Sequence, residues 1–174
     1  MITLREGIKL GYEMITLKEG IKLKGIVFED FVNYKKPSMT LEFPCCAFKC
    51  EGCQNASLAS QPDISTTVTN IYRKYRDNPI TEAIVCQGLE PFDSWDDLYS
   101  LLFQFRIHEA CFDDFVIYTG YDKDEIADKI EDIQKTFSNI IVKFGRYIPG
   151  CEPHYDEVLG VKLASDNQYA ERIS

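Results

Sequence analysis

Short apolar strands alternate with amphipathic helices along most of this chain, and this alternation limits the fold more than any other feature. Four stretches have the apolar pattern of strands in a sheet: 39–43, 83–86, 115–118 and 140–144. Between them lie three stretches with apolar residues at helical spacing: 68–75, 95–105 and 126–137. Strands that alternate with helices of this length are joined by right-handed crossovers into a parallel sheet. The sequence therefore predicts an α/β protein.

The length of the chain limits how far such a sheet can close. A complete eight-stranded βα barrel takes about 250 residues, and this chain has 174. We therefore expect a partial, open parallel βα barrel. Ser94 with Asp97, and Asp122 with Glu125, have the spacing of helix-capping pairs. One or two edge strands are expected from residues 1–37, and the chain looks irregular beyond about residue 150.

Charge and hydropathy exclude several classes of partner. The formal net charge is −9, whereas nucleic acids and anionic membranes favour clustered Lys and Arg. No stretch approaches the roughly 20 apolar residues of a membrane span, and the amino terminus lacks the apolar core of a secretory signal. We expect a cytoplasmic protein that binds neither nucleic acid nor membrane.

The amino terminus contains an internal duplication. Residues 1–10 and 14–23 differ only in the replacement of Arg5 by Lys18. A repeat fold needs about three or more units, so one duplicated segment does not indicate one. We interpret 1–24 as a duplicated segment that is an edge strand or dispensable, and 25–174 as a single domain.

Four of the seven cysteines lie close together: Cys45, Cys46, Cys50 and Cys53. In a reducing compartment such a group indicates metal binding or thiol chemistry rather than disulfides. The spacing Cys46-x3-Cys50-x2-Cys53 puts three thiolates on one loop directly after a predicted strand. Three thiolates can hold three irons of a 4Fe–4S cubane and leave the fourth iron open to a chelating cofactor.

Three other interpretations of these cysteines stay open from the residues alone. Cys45, Cys50 and Cys53 have the spacing of plant-type 2Fe–2S ferredoxins, in which Cys86 would supply the fourth ligand. Zinc would need four ligands, usually in two pairs, and the two histidines of the chain are isolated. Buried structural thiols are the third interpretation, although such thiols would be spread along the strands.

Three further distinctive loops follow the later strands. They are Gly-Leu-Glu-Pro at 88–91, Thr-Gly-Tyr at 119–121 and Gly-Arg-Tyr at 145–147. Ligands of parallel βα sheets bind at the carboxyl ends of the strands. We therefore expect these loops and the cysteine loop to share one rim.

With these motifs in place, the chain resembles the radical S-adenosylmethionine (SAM) superfamily, and within it the activating proteins of anaerobic ribonucleoside-triphosphate reductase. Residues 46–55 are similar to that family's C-x3-C-x-G-C-x-N loop, and 88–91 resemble its Gly-Gly-Glu/Asp-Pro segment, with Leu89 in place of the second glycine. Residues 118–121 and 165–168 resemble its Tyr-Thr-Gly-Tyr and its terminal Gly-Ser-Ser-Asn-Gln. The likeness runs from about residue 25 to the end. The family's upstream Asp-Gly-Pro stretch is missing.

The resemblance implies roles for the matching residues. The ligands of a 4Fe–4S cluster would be Cys46, Cys50 and Cys53. The contacts to SAM would come from Gly52, Gln54, Asn55, Gly88 and Glu90. Gly88 would let the backbone approach the ligand, and Glu90 would bind its ammonium group. No side chain is identified as an acid or base.

The activity that the resemblance implies is that of a glycyl-radical-enzyme activase, a radical SAM oxidoreductase. SAM is cleaved reductively to methionine and a 5′-deoxyadenosyl radical, which removes a hydrogen atom from a glycine of a large partner enzyme. The implied partners are anaerobic ribonucleoside-triphosphate reductase and a low-potential electron donor such as a flavodoxin. Two alternatives remain: a radical SAM enzyme that acts on a small molecule, like a deazaguanine-forming synthase, and a non-enzymatic iron–sulfur electron carrier with Cys45 or Cys86 as a ligand.

Overall fold

The computed structural model describes residues 7–10 and 13–174, with side chains from residue 15 onward. Its strands are β1 (Gly7–Leu10), β2 (Glu13–Thr16), β3 (Gly20–Leu23), β4 (Gly25–Asp30), β5 (Ser38–Phe43), β6 (Ile64–Thr67), β7 (Ala83–Gly88), β8 (Asp114–Tyr118), β9 (Ile140–Phe144), β10 (His154–Asp156), β11 (Val161–Leu163) and β12 (Tyr169–Arg172). Its α-helices are α1 (Val68–Arg76), α2 (Trp95–Phe103) and α3 (Ala127–Thr136). Over these ranges, no helix has the length and apolar character needed to cross a bilayer.

Six strands form one sheet in the order β12-β9-β8-β7-β5-β4. The central strands β5, β7, β8 and β9 are parallel, and the flanking strands β4 and β12 are antiparallel to their neighbours. The α/β class and the four parallel strands predicted from the alternation are confirmed. β4 is an edge strand of the kind expected from the first 37 residues.

The two faces of this sheet bury different layers, because successive side chains of a strand point to opposite faces. One face packs against α1, α2 and α3 through residues such as Ile117 and Val142. The opposite face, called the inner face below, carries Val116 and Ile141, which pack with Leu159 of the β10–β11 hairpin. The hairpin therefore takes the position that a further layer of helices or strands would occupy.

The two predicted capping pairs have different outcomes. Asp122 and Glu125 make the reciprocal capping hydrogen bonds ahead of α3, as predicted. Ser94 makes no side-chain capping bond at α2, so that prediction is wrong. Asp97 instead accepts hydrogen bonds from the Lys18 ammonium group and the Lys22 amide, because the amino-terminal strands lie against the start of α2.

The second copy of the duplicated segment belongs to the main core. Ile15, Ile21 and Leu23 are at most 3% exposed, and β3 pairs with β6 rather than with the six-stranded sheet. In the first copy, β1 pairs with β2, while residues 1–6 and 11–12 lie outside the described residues. The interpretation of 1–24 as an edge strand or a dispensable segment stays a prediction.

The chain beyond residue 150 is more regular than the sequence indicates. It forms the β10–β11 hairpin and β12, which pairs antiparallel with β9. These strands are three or four residues long, too short to give a periodic signal. Their regularity comes from partners that are distant in sequence.

Candidate functional site

A cavity of about 540 Å³ opens at the carboxyl edge of the four parallel strands. Its wall takes residues from the ends of all four: Cys46 beyond β5, Gly88 on β7, Thr119 beyond β8 and Arg146 beyond β9. Parallel strands bring their carboxyl ends to one edge of a sheet. The predicted meeting of the four loops at one rim is therefore confirmed.

Three of the seven cysteines line this cavity: Cys46, Cys50 and Cys53. Among the cysteines, all of which the structure describes, Cys45 lies outside the cavity wall although it is exposed. Cys86 is fully buried on the helix-covered face of the sheet. The structure therefore separates the C-x3-C-x2-C set from the two cysteines of the ferredoxin-like alternative.

The three thiols have the donor chemistry of an iron–sulfur site but are not gathered into one. Within the described ranges, no three His, Cys, Asp or Glu side chains stand close enough to hold a metal ion. A cluster would be held by Cys46, Cys50 and Cys53 only if residues 46–53 contracted around it. Burial raises the pKa of the Cys46 thiol, so binding to iron would release a proton from it.

The cysteine loop is tied to the next rim loop at three points. The Cys45 carbonyl accepts a hydrogen bond of 2.6 Å from the Glu90 amide. The Ala47 amide donates to the Asp93 carboxylate at 2.6 Å. At the far end, the Asn55 side-chain amide donates to the Gly88 carbonyl at 2.9 Å. These bonds fix both ends of the segment that carries the three thiols.

The middle of the cysteine loop is held by the side chain of Phe48. Its ring lies edge-on to Tyr121, with 4.5 Å between ring centres, and the Arg146 guanidinium stands 4.1 Å from its centre. A Cβ atom on Gly120 would stand 2.9 Å from the Phe48 ring. The Thr-Gly-Tyr motif therefore has a physical purpose that the sequence did not reveal: Gly120 and Tyr121 form the seat of Phe48.

Glu90 joins two rim loops from a buried position. Its side chain is 1% exposed, and it accepts hydrogen bonds from the Phe92 amide, the Thr119 hydroxyl and the Gly120 amide at 3.1, 2.8 and 2.8 Å. Burial raises its pKa to about 7, against the lowering effect of these three donors. Both carboxylate oxygens thus accept hydrogen bonds from the protein. A cationic group of a ligand would bind these oxygens in addition to the three donors.

Gly88 lies where only a glycine fits against the neighbouring strand. Its φ is +103°, a conformation that residues with a side chain rarely adopt. A Cβ atom there would lie 2.7 Å from the Phe43 amide nitrogen and 2.9 Å from the Glu42 Cα atom. The backbone of β5 therefore requires glycine here, and the expected approach to a ligand stays a prediction.

Of the other predicted SAM contacts, the structure places two on the cavity wall and one away from it. Gln54 and Asn55 line the cavity together with Gly88 and Glu90. Gly52 does not belong to its described wall and is exposed, with a φ of +69°. A Cβ atom on Gly52 would face the ring of Tyr147 at 3.7 Å. Gly52 therefore shapes the turn between Cys50 and Cys53.

Sequence reasoning missed Gln87 and Lys143, which form a polar row on the inner face together with Tyr118 of the Tyr-Thr-Gly-Tyr motif. Gln87, Tyr118 and Lys143 occupy neighbouring positions on β7, β8 and β9, and all three line the cavity. Lys143 is 6% exposed, and its ammonium group donates to the Gly145 carbonyl at 2.7 Å. Burial lowers its pKa to about 8, although Glu90 and Cys50 act in the opposite direction. The presence of a lysine within the otherwise apolar strand β9 could have indicated this position from the sequence.

The carboxyl-terminal segment supplies another wall, of which only residues 165–168 were singled out from the sequence. The cavity-lining residues of this segment include Val161, Lys162, Leu163, Ala164 and Gln168. An interpretation of this region as irregular gave no reason to expect it beside the cysteine loop. Its placement depends on the pairing of β12 with β9.

Comparison with known families agrees with the chemistry of the cysteine loop. Residues 38–154, more than half of the chain, match the model of a family described as "4Fe-4S single cluster domain". The match includes the four parallel strands, the cysteine loop and the three other rim loops. The cavity wall from 161–168 lies beyond it. No curated protein matches the chain.

Proposed function

The chain belongs to the 4Fe-4S single cluster domain family, and on that premise we propose that it is a radical SAM enzyme that activates a glycyl-radical enzyme. The ligands of its cluster would be Cys46, Cys50 and Cys53. The rim of the parallel sheet, as part of a partial βα barrel, would hold SAM against that cluster. When bound, the cluster supplies the single electron that cleaves SAM to methionine and a 5′-deoxyadenosyl radical.

The observation that carries this proposal is the composition of the cavity wall. Three cysteines share one cavity, and the two candidates for a fourth ligand, Cys45 and Cys86, lie outside it. Three protein ligands leave one iron of a cubane free for a chelating cofactor. An electron carrier would instead need a fourth cysteine, and Cys86 is on the opposite face of the sheet. The cavity wall therefore favours a radical SAM enzyme over an electron carrier.

The cavity offers complementary groups for the amino-acid end of SAM. Lys143 is a buried amine on the cavity wall, and it would pair with the carboxylate. Glu90 would take the ammonium group, while Gln54 and Asn55 would contact the cofactor beside the cluster. These groups would orient SAM.

The size of the cavity favours a substrate that reaches in from outside. At about 540 Å³ it lies in the range of pockets that hold one cofactor-sized ligand. Room for a second, fully enclosed small molecule is therefore limited. A glycine on a loop of a large partner needs only an opening at the rim. We propose anaerobic ribonucleoside-triphosphate reductase as that partner, with a low-potential donor such as flavodoxin supplying electrons.

Cluster assembly and SAM cleavage can be measured in one anaerobic experiment. The protein is reconstituted with iron and sulfide, reduced with dithionite and mixed with SAM, and 5′-deoxyadenosine is quantified. We expect about four irons per chain and formation of 5′-deoxyadenosine. Cys46→Ala should abolish both, whereas Cys45→Ala, its matched neighbour, should abolish neither. An intact cluster with no SAM cleavage would exclude the radical SAM activity.

The partner is tested by electron paramagnetic resonance (EPR) spectroscopy. Addition of a candidate anaerobic ribonucleotide reductase to the reduced, SAM-loaded protein should produce the doublet signal of a glycyl radical. A reductase in which the radical-bearing glycine is replaced by alanine provides the control. Formation of 5′-deoxyadenosine without that radical would point to the small-molecule alternative.

A further inference from the structure

The turn at residues 165–168 contacts the loop that follows β9 at three positions. The Asn167 side-chain amide donates to the Arg146 carbonyl at 2.8 Å. The Gln168 side-chain amide donates to the Gly145 carbonyl at 3.2 Å. The Ile148 amide donates to the Ser165 hydroxyl at 3.4 Å. The turn therefore holds the backbone on both sides of the Arg146 side chain.

We infer that Asn167 and Gln168 form a clamp that positions the cysteine loop by acting through Arg146. Arg146 lies between the two loops: its backbone is held by Asn167, and its guanidinium stands over the Phe48 ring at 4.1 Å. A hydrogen bond of 2.9 Å to Glu125 fixes the guanidinium from the other side. Phe48 lies between Cys46 and Cys50, so the position of its ring sets the shape of the loop.

The internal bonds of Gln168 make the clamp rigid. Its side-chain oxygen accepts hydrogen bonds from the Ala164 and Ser165 amides, both at 3.2 Å. The side chain is 6% exposed, so both ends of its amide are used inside the protein. A fixed amide of this kind can hold a backbone loop in one position.

Gly145 shows how closely the clamp approaches the loop. Its φ is +94°, and a Cβ atom there would lie 3.1 Å from the Asn167 carbonyl oxygen and 3.4 Å from the Gln168 Cα atom. The glycine thus serves the contact with the clamp. The Gly-Arg-Tyr motif and the Asn-Gln motif are therefore packed directly against each other.

The clamp is not needed to hold the carboxyl-terminal segment in place. β12 follows it directly and pairs with β9 over four residues, and Glu171 forms an ion pair with Lys123 at 2.8 Å. Because these contacts hold the carboxyl-terminal segment, the amide donors of Asn167 and Gln168 are not required for that purpose and can hold the loop after β9. This separation lets the clamp be removed without release of the tail.

The test measures how firmly the cysteine loop holds its cluster. Of the proposed function it assumes only that Cys46, Cys50 and Cys53 bind a cluster. Asn167→Asp with Gln168→Glu removes both amide donors and keeps the oxygen that accepts the turn amides. Arg146→Met removes the guanidinium and leaves the turn unchanged. The matched control is Gln134→Glu on α3, which removes a side-chain hydrogen bond of 3.0 Å to the Ile173 carbonyl.

Each reconstituted variant is mixed anaerobically with an iron chelator, and the rate of cluster loss is followed by absorbance. We expect several-fold faster loss and an altered EPR spectrum of the reduced cluster for both the clamp variant and Arg146→Met, and no change for Gln134→Glu. Because both act on Phe48 through one residue, their combination should lose the cluster no faster than Arg146→Met alone.

Three results would overturn the inference: loss at the parental rate in a folded clamp variant, loss at the parental rate in Arg146→Met, or rates that multiply in the combined variant. If the clamp variant does not fold, Asn167→Asp alone, which keeps every hydrogen bond of Gln168, takes its place in the comparison with Arg146→Met. No SAM cleavage enters these measurements, so failure of the clamp is distinguishable from failure of the proposed activity.

Discussion

Replacement of Gly120 by alanine should displace Phe48 from its seat. The new Cβ atom would stand 2.9 Å and 3.1 Å from two carbon atoms of the Phe48 ring. Gly120 is not among the residues with positive φ, so its backbone accepts alanine and the penalty arises from the ring. Overpacking of this kind costs about 1–3 kcal/mol. For a chain of this length that lowers Tm by about 2–4 °C per kcal/mol.

The ring can be identified as the cause by a double-mutant cycle. In a Phe48→Ala background the two close ring contacts are gone and the new methyl group meets Arg146 Cγ at 3.4 Å, an ordinary contact distance, so Gly120→Ala should lose most of its effect. The coupling between the two substitutions should then be about 1–3 kcal/mol, above the roughly 0.5 kcal/mol within which independent sites add. Gly20→Ala is the control, because a Cβ atom there has no neighbour within 4 Å.

The assay is anaerobic thermal unfolding of the cluster-free protein, followed by circular dichroism. The iron and sulfide content after reconstitution is measured in parallel, and it should fall with Gly120→Ala. Strictly additive effects of Phe48→Ala and Gly120→Ala would refute the account of how the cysteine loop is held. A fall in Tm for Gly20→Ala as large as that for Gly120→Ala would refute the assignment of the penalty to the Phe48 ring.

Three further predictions test other parts of the molecule. Alanine at Cys50 or Cys53 should abolish iron binding, whereas Cys86→Ala should leave four irons per chain; loss of iron in Cys86→Ala would support the ferredoxin-like alternative. Burial alone would raise the pKa of Asp114, but hydrogen bonds from Lys36 and Tyr34 lower it to about 2. Because the folded-state pKa lies below the unfolded value, Asp114 should contribute about 2 kcal/mol above pH 4. That contribution should fade between pH 4 and 2, so in urea unfolding the difference between Asp114→Asn and the parent should shrink over that interval, and a constant difference would contradict the assignment. A chain that begins at Met14 should keep its Tm and its iron content, since Ile15, Ile21 and Leu23 belong to the second copy of the duplication; loss of either would show that the first copy is needed.

The sequence was informative about features set by local pattern and by the geometry of parallel sheets. The alternation of strands and helices predicted β5, β7, β8 and β9, and the capping pair Asp122–Glu125 was read directly from its spacing. Parallel strands end at one edge, so the meeting of the cysteine loop with three other rim loops followed from their order alone. The carboxyl-terminal strands could not be predicted, because three or four residues carry no usable periodicity.

The parts of the site that only the tertiary structure decided depend on contacts between residues far apart in the chain. Glu90 is committed to Thr119 and Gly120, 29 and 30 residues away, and no local pattern reports such a pairing. A side chain at position 88 would clash with the backbone of β5, and a side chain at position 120 would clash with the ring of Phe48. The sequence thus determined which residues reach the rim, because loops that follow parallel strands all lie at the carboxyl edge of the sheet. Packing across the rim determined what each of them touches, because side chains from separate loops meet only after the chain has folded.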